Sequence, residues 1–131
     1  MKLVHVAVGV VRRGTQVFIS LRADNAHQGG KWEFPGGKVE DNETVLDALR
    51  RELQEEIGIL VQSSEPLLII EHDYGDKLVK LDVHAVSAFN GEPEGKENQQ
   101  TRWVEVSALE AGEFPAANVA IIDALQQKYL K

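Results

Sequence analysis

Three glutamates, Glu52, Glu55 and Glu56, stand three and four residues apart just before Gly58. If this segment is helical, side chains at these spacings lie on one face, so the carboxylates form one cluster. Like charges repel there, and the dipole near a helix C-terminus also disfavours anions. We infer that a cation neutralises the cluster. A site made only of carboxylates selects a hard ion, Mg²⁺ or Mn²⁺.

The sequence around the glutamates predicts the helix that must position them. One apolar stripe repeats with a period of about 3.6 residues, and it consists of Leu46, Leu49, Leu53 and Ile57. Thr44 with Asp47 three residues later has the form of a capping box at a helix start. Gly58 is the residue type that commonly follows a last helical turn in the left-handed conformation. We therefore predict a helix between Thr44 and Gly58.

A longer pattern surrounds the cluster, G-x5-E-x7-R-E-U-x-E-E-x-G-U, in which U is an aliphatic residue. Every fixed position is matched, by Gly37, Glu43, Arg51, Glu52, Leu53, Glu55, Glu56, Gly58 and Ile59. This pattern is the Nudix box, and the chain resembles the Nudix hydrolases. The alternative reading of the same residues is an acidic amphipathic helix on the protein surface.

The resemblance implies a metal site. Nudix enzymes hydrolyse a diphosphate linked to another moiety, and Mg²⁺ or Mn²⁺ is held by the glutamates of the box. The metal ligands implied here are Glu52, Glu55 and Glu56, with the main-chain carbonyl of Gly36 as a further ligand. Gly36 lacks a Cβ, so its backbone can approach a ligand closely.

Two further groups are expected to support the chemistry. Arg51 should orient the cluster by pairing with Glu43 or Glu52, although without the motif it reads as a solvated helix arginine.

Glu97 lies in a polar segment, residues 90–101, where a glutamate is ordinarily just solvated. The piece GEPEGKE of that segment resembles a loop in the MutT branch of the family, which presents a carboxylate to the metal centre. Glu97 is thus implied as a further metal ligand, and Glu52 and Glu97 both stand as candidates for the general base.

The resemblance to the MutT branch covers nearly the whole chain. It is carried by AVGVV, SLRADNAH and EFPGGK before the box and by EFPAAN before a C-terminal helix. It implies hydrolysis of 8-oxo-dGTP, and of 8-oxo-GTP, to the monophosphate and pyrophosphate. It also implies a purine pocket formed by Arg22, His27, Phe34, Asp76 and Asn118. From sequence alone, Arg22 reads equally well as a solvated strand end and Phe34 as a core aromatic.

Asn118 has a physical reason to read an oxidised purine. Guanine presents two acceptors, O6 and N7, whereas 8-oxoguanine carries a hydrogen on N7 and presents an acceptor beside a donor. An asparagine amide offers one donor and one acceptor, so it satisfies the oxidised base and mismatches the normal one. The alternative is that Asn118 caps the last helix, a position that asparagine favours.

The length and composition of the chain argue against several other classes of protein. The chain has 131 residues, a net charge of −7 and no cysteine, so we expect a single domain over residues 1–131 without disulfide or thiol chemistry. No basic stripe is visible, and we expect no direct duplex nucleic acid partner. No segment reaches the roughly 20 apolar residues of a membrane span. We expect a cytoplasmic monomer whose partner is a small nucleotide, held through divalent ions.

Alternating apolar residues predict strands at residues 3–11, 17–21, 32–34, 67–74, 78–89 and 102–106. A turn is expected at Gly75 and Asp76, and an amphipathic helix follows Pro115. Strands with helices between and after them indicate an α/β protein with a mixed sheet covered on both faces. The resemblance implies the Nudix α/β/α sandwich, with the box helix on one face and the C-terminal helix on the other.

Three functions compete on this sequence. The first is an 8-oxo-dGTP diphosphatase that sanitises the nucleotide pool for DNA replication and repair, and so suppresses mutation. The second is a Nudix pyrophosphohydrolase for another nucleoside triphosphate, such as a pyrimidine. The third is a non-catalytic Nudix-like binding module, a class that usually loses box glutamates, all of which are present here.

Overall fold

A computed structural model describes residues 2–22 and 29–129 of the chain. The secondary structure in these ranges comprises strands β1 Lys2–Arg13, β2 Gln16–Leu21, β3 Trp32–Glu33, β4 Gly36–Lys38, β5 Leu60–Asp73, β6 Lys77–Asn90 and β7 Thr101–Glu105, and helices α1 Val45–Ile57 and α2 Val119–Tyr129. Short 3₁₀ turns lie at Val106–Ala108, Ala111–Glu113 and Ala116–Asn118. No helix in the described ranges is both long and apolar enough to cross a membrane.

Strand β1 is the centre of the mixed sheet because its two edges pair with different strands. One edge runs parallel to β6, with Val4 opposite Val79 and Val10 opposite Ala85. The other edge pairs antiparallel with β4 near Ala7 and with β2 at its end. The main path of the sheet is β3-β2-β1-β6-β5, and β7 pairs with β2. Strand β4, which the sequence did not predict, thereby brings Gly36 and Gly37 against β1.

The sheet separates two hydrophobic clusters, which gives the expected α/β/α sandwich. Alternate residues of β1 point to opposite faces, so that Val8 and Val10 pack in the cluster with α2 whereas Ala7 and Val11 pack in the cluster with α1. Helix α1 approaches β1 so closely that a Cβ on Gly9 would lie 2.8 Å from a methyl of Leu53. A glycine at this crossing therefore sets the depth at which α1 lies on the sheet.

Two details of the prediction were wrong. Leu46 was expected in the buried stripe of α1, but it is 45% exposed. Leu46 lies on the same face of α1 as the buried residues of the stripe, so its exposure comes from its place in the first turn of the helix. Strand β5 begins at Leu60, seven residues before the predicted strand, because pairing with β6 continues through register shifts between Val61 and Leu68. Tertiary pairing here extends a strand through a polar stretch that has no alternating pattern.

Candidate active site

Helix α1 begins and ends where its local sequence predicts. The hydroxyl of Thr44 accepts a hydrogen bond from the N–H of Asp47 at 3.1 Å, and Gly58 closes the helix in the left-handed region at φ 74°. Buried Leu49, Leu53 and Ile57 fix the face that packs on the sheet. The glutamates of the last two turns are consequently held in a fixed orientation beside β4.

Arg51 connects three parts of the box. Its guanidinium binds both oxygens of Glu43, through Nε at 2.8 Å and Nη2 at 2.9 Å. Nη1 donates to Glu52 at 2.7 Å, and Nη2 also donates to the carbonyl of Lys38 at 3.0 Å. The hydrogen bonds from Arg51, helped by the N–H of Glu40, lower the pKa of Glu43 to about 2. Arg51 therefore pairs with both glutamates that the sequence offered as partners, and it ties α1 to β4.

The two glycines of β4 leave room for the glutamates and for the sheet. A Cβ on Gly37 would collide with the carboxylate of Glu52, and a Cβ on Gly36 would collide with the carbonyl oxygen of Ala7. The N–H of Gly36 donates to the carboxylate of Glu56 at 3.2 Å. Glycine at both positions thus permits the close approach of β1, β4 and α1 on which the site depends.

Glu56 carries a strongly perturbed carboxyl group. Its pKa is raised to about 8, mainly by burial and also by the negative charges of Glu33, Glu52 and Glu97, while the hydrogen bond from Gly36 acts in the opposite direction. A carboxyl group in such surroundings resists ionisation until a positive charge compensates it. The guanidinium of Arg51 pairs with Glu43 and Glu52, and that of Arg22 pairs with Glu33.

The polar segment after β6 folds back onto the C-terminal end of α1. The N–H groups of Glu94 and Lys96 donate to the carbonyls of Ile57 and Glu56, at 3.0 and 2.9 Å. Terminal helix carbonyls lack partners within the helix, so this segment satisfies them. The same docking brings Glu97 within electrostatic reach of Glu33 and Glu56, since its charge raises the pKa of both.

A cavity of about 180 Å³ lies where these elements meet, and we refer to it as the glutamate cavity. Its lining consists of Ser20, Leu21, Arg22, Glu33, Glu56, Glu97 and Gln99. Three of these seven residues are carboxylic acids. The cavity is therefore suited to a cation, or to an anion that arrives with cations.

A second cavity, of about 240 Å³, adjoins the first, and we refer to it as the Asn118 cavity. Its lining consists of Val4, Val6, Arg22, Glu33, Gly36, Gly37, Lys38, Tyr74, Lys77, Val79, Pro115 and Asn118. The hydroxyl of Tyr74 accepts a hydrogen bond from the N–H of Ala117 at 3.2 Å and so fixes the turn that carries Asn118. Within the described ranges, the Asn118 side chain makes no hydrogen bond to the start of α2. Asn118 therefore lines this cavity without capping α2, and its role in binding a ligand stays a prediction.

The other predicted site residues have different positions. Phe34 is 3% exposed and stacks on Phe114 with ring centroids 5.4 Å apart, so it packs in the core, and its role in the purine pocket stays a prediction. Asp76 is exposed in the turn between β5 and β6, and its neighbour Lys77 lines the Asn118 cavity. Glu55 is 58% exposed and lies 3.5 Å from Arg51. His27 lies outside the described residues.

Two residues of the site were missed from the sequence. Glu33 lines both cavities, and Gln99 lines the glutamate cavity. The position of Glu33 directly before Phe34 and Pro35, within a short strand that leads to the glycines, was a usable signal. Nothing local distinguishes Gln99 from Gln100, because its role depends on contacts with α1.

A larger cavity, of about 460 Å³, lies elsewhere on the molecule. It is lined by Arg12, Arg13, Gly14, Gln62, Ser87, Ala88, Phe89 and Gly91. Arg13 is paired there with Glu92 at 2.9 Å. The residues of the box take no part in its lining, so volume alone would locate the wrong site.

The donor set fits a hard divalent ion. Three of the side chains that line the glutamate cavity are carboxylic acids, and the raised pKa of Glu56 shows that its ionised form lacks a compensating positive charge. Among residues 2–22 and 29–129, however, no three acidic or histidine side chains converge as a ready-made metal site. Glu52 is turned toward Arg51 and Glu56 toward Gly36. Sharing one ion therefore requires these side chains to change rotamer.

The fold and this site define a class of protein. Residues 7–124 match the NUDIX domain, and the chain belongs to the Nudix family. Within the family it is of the MutT type. A solved structure from a study of MutT from the fish pathogen Aliivibrio salmonicida and from Vibrio cholerae has a TM-score of 0.86 and 37% identity, covering 97% of this chain and 99% of that one.

Two curated relatives indicate the range of substrates in this part of the family. The 8-oxo-dGTP diphosphatase of Escherichia coli (strain K12) is 41% identical over 128 residues, 97% of this chain and 99% of the relative. The CTP pyrophosphohydrolase of the same strain is 32% identical over 117 residues, 89% of this chain and 85% of the relative. The chain is thus a Nudix pyrophosphohydrolase whose base preference has to be argued from its own pocket.

Proposed function

We propose that this protein hydrolyses 8-oxo-dGTP and 8-oxo-GTP to the monophosphate and pyrophosphate. The observation that carries the proposal is the adjacency of the Asn118 cavity and the glutamate cavity, which share Arg22 and Glu33 as a common wall. A base recognised in the first cavity has its polyphosphate directed toward the second. The similarity to relatives named 8-oxo-dGTP diphosphatases supports the same substrate class.

Asn118 is the group proposed to select the oxidised base. Its amide can accept from N7–H and donate to O6 of 8-oxoguanine, whereas unmodified guanine presents two acceptors to it. A buried polar group left without a partner costs about 1 to 3 kcal/mol. Sites built on hydrogen bonds can discriminate more strongly than that in total. Tyr74, by holding the turn before α2, keeps the amide in place.

The proposed cofactor is Mg²⁺, with Mn²⁺ as a substitute. The ligands would be Glu52, Glu55, Glu56 and Glu97 with the carbonyl of Gly36. When bound, the ion supplies charge neutralisation for the polyphosphate and positions water for attack on phosphorus. Glu56 must lose its proton to take part, so metal binding is expected to release protons.

Water adds across one P–O–P bridge in this reaction, so one product gains the hydroxyl and the other gains the bridging oxygen. A carboxylate must accept the proton that the water loses. Glu52 and Glu97 are both candidates for this base. Glu52 is held by Arg51 at 2.7 Å, whereas Glu97 is exposed on the docked segment. Comparison of Glu52→Gln with Glu97→Gln decides between them, because the variant that lacks the base loses the low-pH limb of its kcat profile, where protonation of the base lowers the rate.

The experiment that tests the function is a substrate panel in ¹⁸O-labelled water with Mg²⁺. We expect the highest kcat/KM for 8-oxo-dGTP, with a monophosphate and pyrophosphate as products. Label in the monophosphate means attack on the α-phosphorus, and label in pyrophosphate means attack on the β-phosphorus. Equal rates for purine and pyrimidine triphosphates would instead favour the broader pyrophosphohydrolase that the CTP-directed relative suggests. No turnover of any triphosphate would favour a binding module.

The cellular role follows from this activity. A protein that removes 8-oxo-dGTP before a polymerase can use it sanitises the nucleotide pool and suppresses mutation during DNA replication. We infer that it acts in the cytoplasm, where free nucleotides are found, as a single domain and as a monomer. Light scattering with and without nucleotide measures the oligomeric state.

A further inference from the structure

Residues of three strands surround the cavity of about 460 Å³ that lies away from the box, and we refer to it as the Arg12 cavity. Strand β1 pairs in parallel with β6 as far as Val11 opposite Val86. Beyond that pair, β1 continues beside β2 and β6 continues beside β5. The cavity lies where the two strands stop pairing, at the carboxyl ends of neighbouring parallel strands, which is a common location for a ligand in an open sheet.

The polar side chains that line the Arg12 cavity are hydrogen-bond donors. Arg12 and Arg13 contribute guanidinium groups, Gln62 contributes an amide and Ser87 contributes a hydroxyl. None of the described residues in the lining is acidic, although the chain as a whole has a net charge of −7. The lining is therefore opposite in character to that of the glutamate cavity, and it suits an anion.

Arg12 carries a positive charge that no carboxylate compensates. Its Nη1 donates to the carbonyl of Gly14 at 2.7 Å, and its guanidinium carbon lies 4.5 Å from the ring centroid of Tyr129. Within residues 2–22 and 29–129, its Nε is buried without a hydrogen bond and its guanidinium has no acidic partner. A buried donor without an acceptor costs free energy. An anion bound beside Arg12 removes that cost by supplying both the acceptor and the opposite charge.

Arg13 has a partner that an anion can replace. Its Nη2 donates to both carboxylate oxygens of Glu92, at 2.9 and 3.2 Å. The side chains of this pair are 50% and 65% exposed, and such exposed ion pairs contribute little net free energy. The guanidinium carbon also lies 4.5 Å from the ring centroid of Trp103, which keeps the group in place when the carboxylate leaves. Glu92 is thus an internal competitor for any anion that enters the cavity.

We propose that the Arg12 cavity is a second anion site of this protein and that it binds a phosphate group, either free or as a monoester. A guanidinium fork matches two oxygens of a phosphate. Consecutive strand residues point to opposite faces, so Arg12 and Arg13 approach from two sides, an arrangement that suits a tetrahedral anion better than a planar carboxylate. The site shares no lining residue with the glutamate cavity or the Asn118 cavity. The inference therefore does not depend on the proposed function.

The test is a titration of the metal-free, ¹⁵N-labelled protein with inorganic phosphate at constant ionic strength. The amide signals of Gly14 and Gly91, which line the cavity, should shift and reach saturation. The amides of Gly36 and Gly37 in β4 report separately on the box. Acetate, a planar monoanion, should bind about tenfold more weakly or worse. Shifts that do not saturate, or equal affinities for phosphate and acetate, would overturn the assignment.

A parallel titration with methyl phosphate distinguishes the two sources of the phosphate group. Tighter binding of the ester than of inorganic phosphate identifies a monoester as the occupant. Weaker binding of the ester identifies free phosphate. Both results support a phosphate site, whereas failure of both anions to shift Gly14 and Gly91 refutes it.

Two variants weaken the site by different means. Arg12→Gln should lower the phosphate affinity about tenfold or more, because a charged donor is lost. Arg12 packs on Tyr129, so a second variant guards against misfolding. Ser87→Asp places a carboxylate in the cavity at an exposed position and should lower the affinity to a similar extent. Unchanged affinity in both variants would overturn the assignment.

A third variant tests the competition at Arg13. Glu92→Gln removes the carboxylate that occupies this arginine, so phosphate affinity should rise about threefold, in line with the small free energy of an exposed pair. Arg50→Gln, at an exposed position of α1 outside the cavity, is the control and should bind phosphate as the unchanged protein does. Weaker binding in Glu92→Gln, or an equal loss in Arg50→Gln and Arg12→Gln, would contradict a site built on Arg12 and Arg13.

Discussion

The side-chain amide of Gln99 donates a hydrogen bond to the main-chain carbonyl of Glu56 at 3.0 Å. Its carbonyl oxygen accepts from the N–H of Glu97 at 2.8 Å. One side chain therefore joins the last turn of α1 to the segment that carries Glu97. Glu56 and Glu97, two of the three carboxylates of the glutamate cavity and 41 residues apart in the chain, are positioned relative to each other through this amide.

Replacing Gln99 should separate these carboxylates. Gln99→Ala removes two hydrogen bonds worth about 1 kcal/mol each, so we expect a small fall in Tm and a fall in kcat of about tenfold. Gln100→Ala, an exposed neighbour in the same segment, is the control for both quantities. A kcat equal to that of the control would mean that Glu97 needs no such positioning.

Gly37→Ala should reduce activity without a comparable loss of stability. The added Cβ meets the carboxylate of Glu52, which is the flexible end of a side chain and can move away. We expect kcat to fall at least tenfold while Tm changes by only a few degrees. Gly112→Ala is the matched control, since a Cβ there meets nothing within 4 Å. Full activity of Gly37→Ala would show that the observed place of Glu52 is dispensable.

Arg51→Lys tests whether the site needs a planar guanidinium that donates several hydrogen bonds at once. A lysine ammonium keeps the charge but cannot bridge Glu43, Glu52 and the carbonyl of Lys38 together, so we expect kcat to fall at least tenfold. Arg50→Lys, at an exposed position, should behave as the unchanged protein. A lysine variant with normal kcat would leave only the charge of Arg51 as relevant.

The same substitution should change stability in acid. The folded pKa of Glu43 is lowered to about 2, below the ordinary value of about 4.3, so its contribution is present above the ordinary pKa and is lost as pH falls toward 2. Plots of Tm against pH from 5 to 2 should be steeper for the unchanged protein than for Arg51→Lys. Parallel plots would contradict the pairing.

Glu56 should make the metal-free protein less stable as pH rises. Its folded pKa is raised to about 8, so between its unfolded pKa and 8 the native state binds more protons than the unfolded state, and the free energy of unfolding falls with pH. Denaturant titrations in EDTA at pH 5 and pH 8 measure the fall. Glu56→Gln should flatten it, whereas Glu55→Gln, at an exposed position, should not.

Asn118→Ala should reduce the preference for 8-oxo-dGTP over dGTP by an order of magnitude or more. The amide that distinguishes N7–H from N7 is removed, while the turn held by Tyr74 stays in place. The measurement is kcat/KM for 8-oxo-dGTP and for dGTP with each protein. Asn90→Ala is the control, because Asn90 is exposed at the end of β6. Unchanged selectivity would exclude Asn118 as the discriminating group.

The sequence by itself determined helix α1, its two caps and the grouping of its glutamates. Helical periodicity and capping depend on residues within four positions of each other, so Thr44, Gly58 and the spacing of Glu52 and Glu56 suffice to place them. The box residues likewise determined the family, because the pattern is contiguous in the chain.

Only the tertiary structure decided which distant groups meet the glutamates. Glu33 and Glu97 reach Glu56 because β3 pairs with β2 and because the segment after β6 donates hydrogen bonds to the end of α1. Leu46 is exposed and Phe34 is buried for similar reasons, since burial depends on which element lies opposite rather than on residue type. Such contacts join positions far apart in the chain, and no local pattern records them.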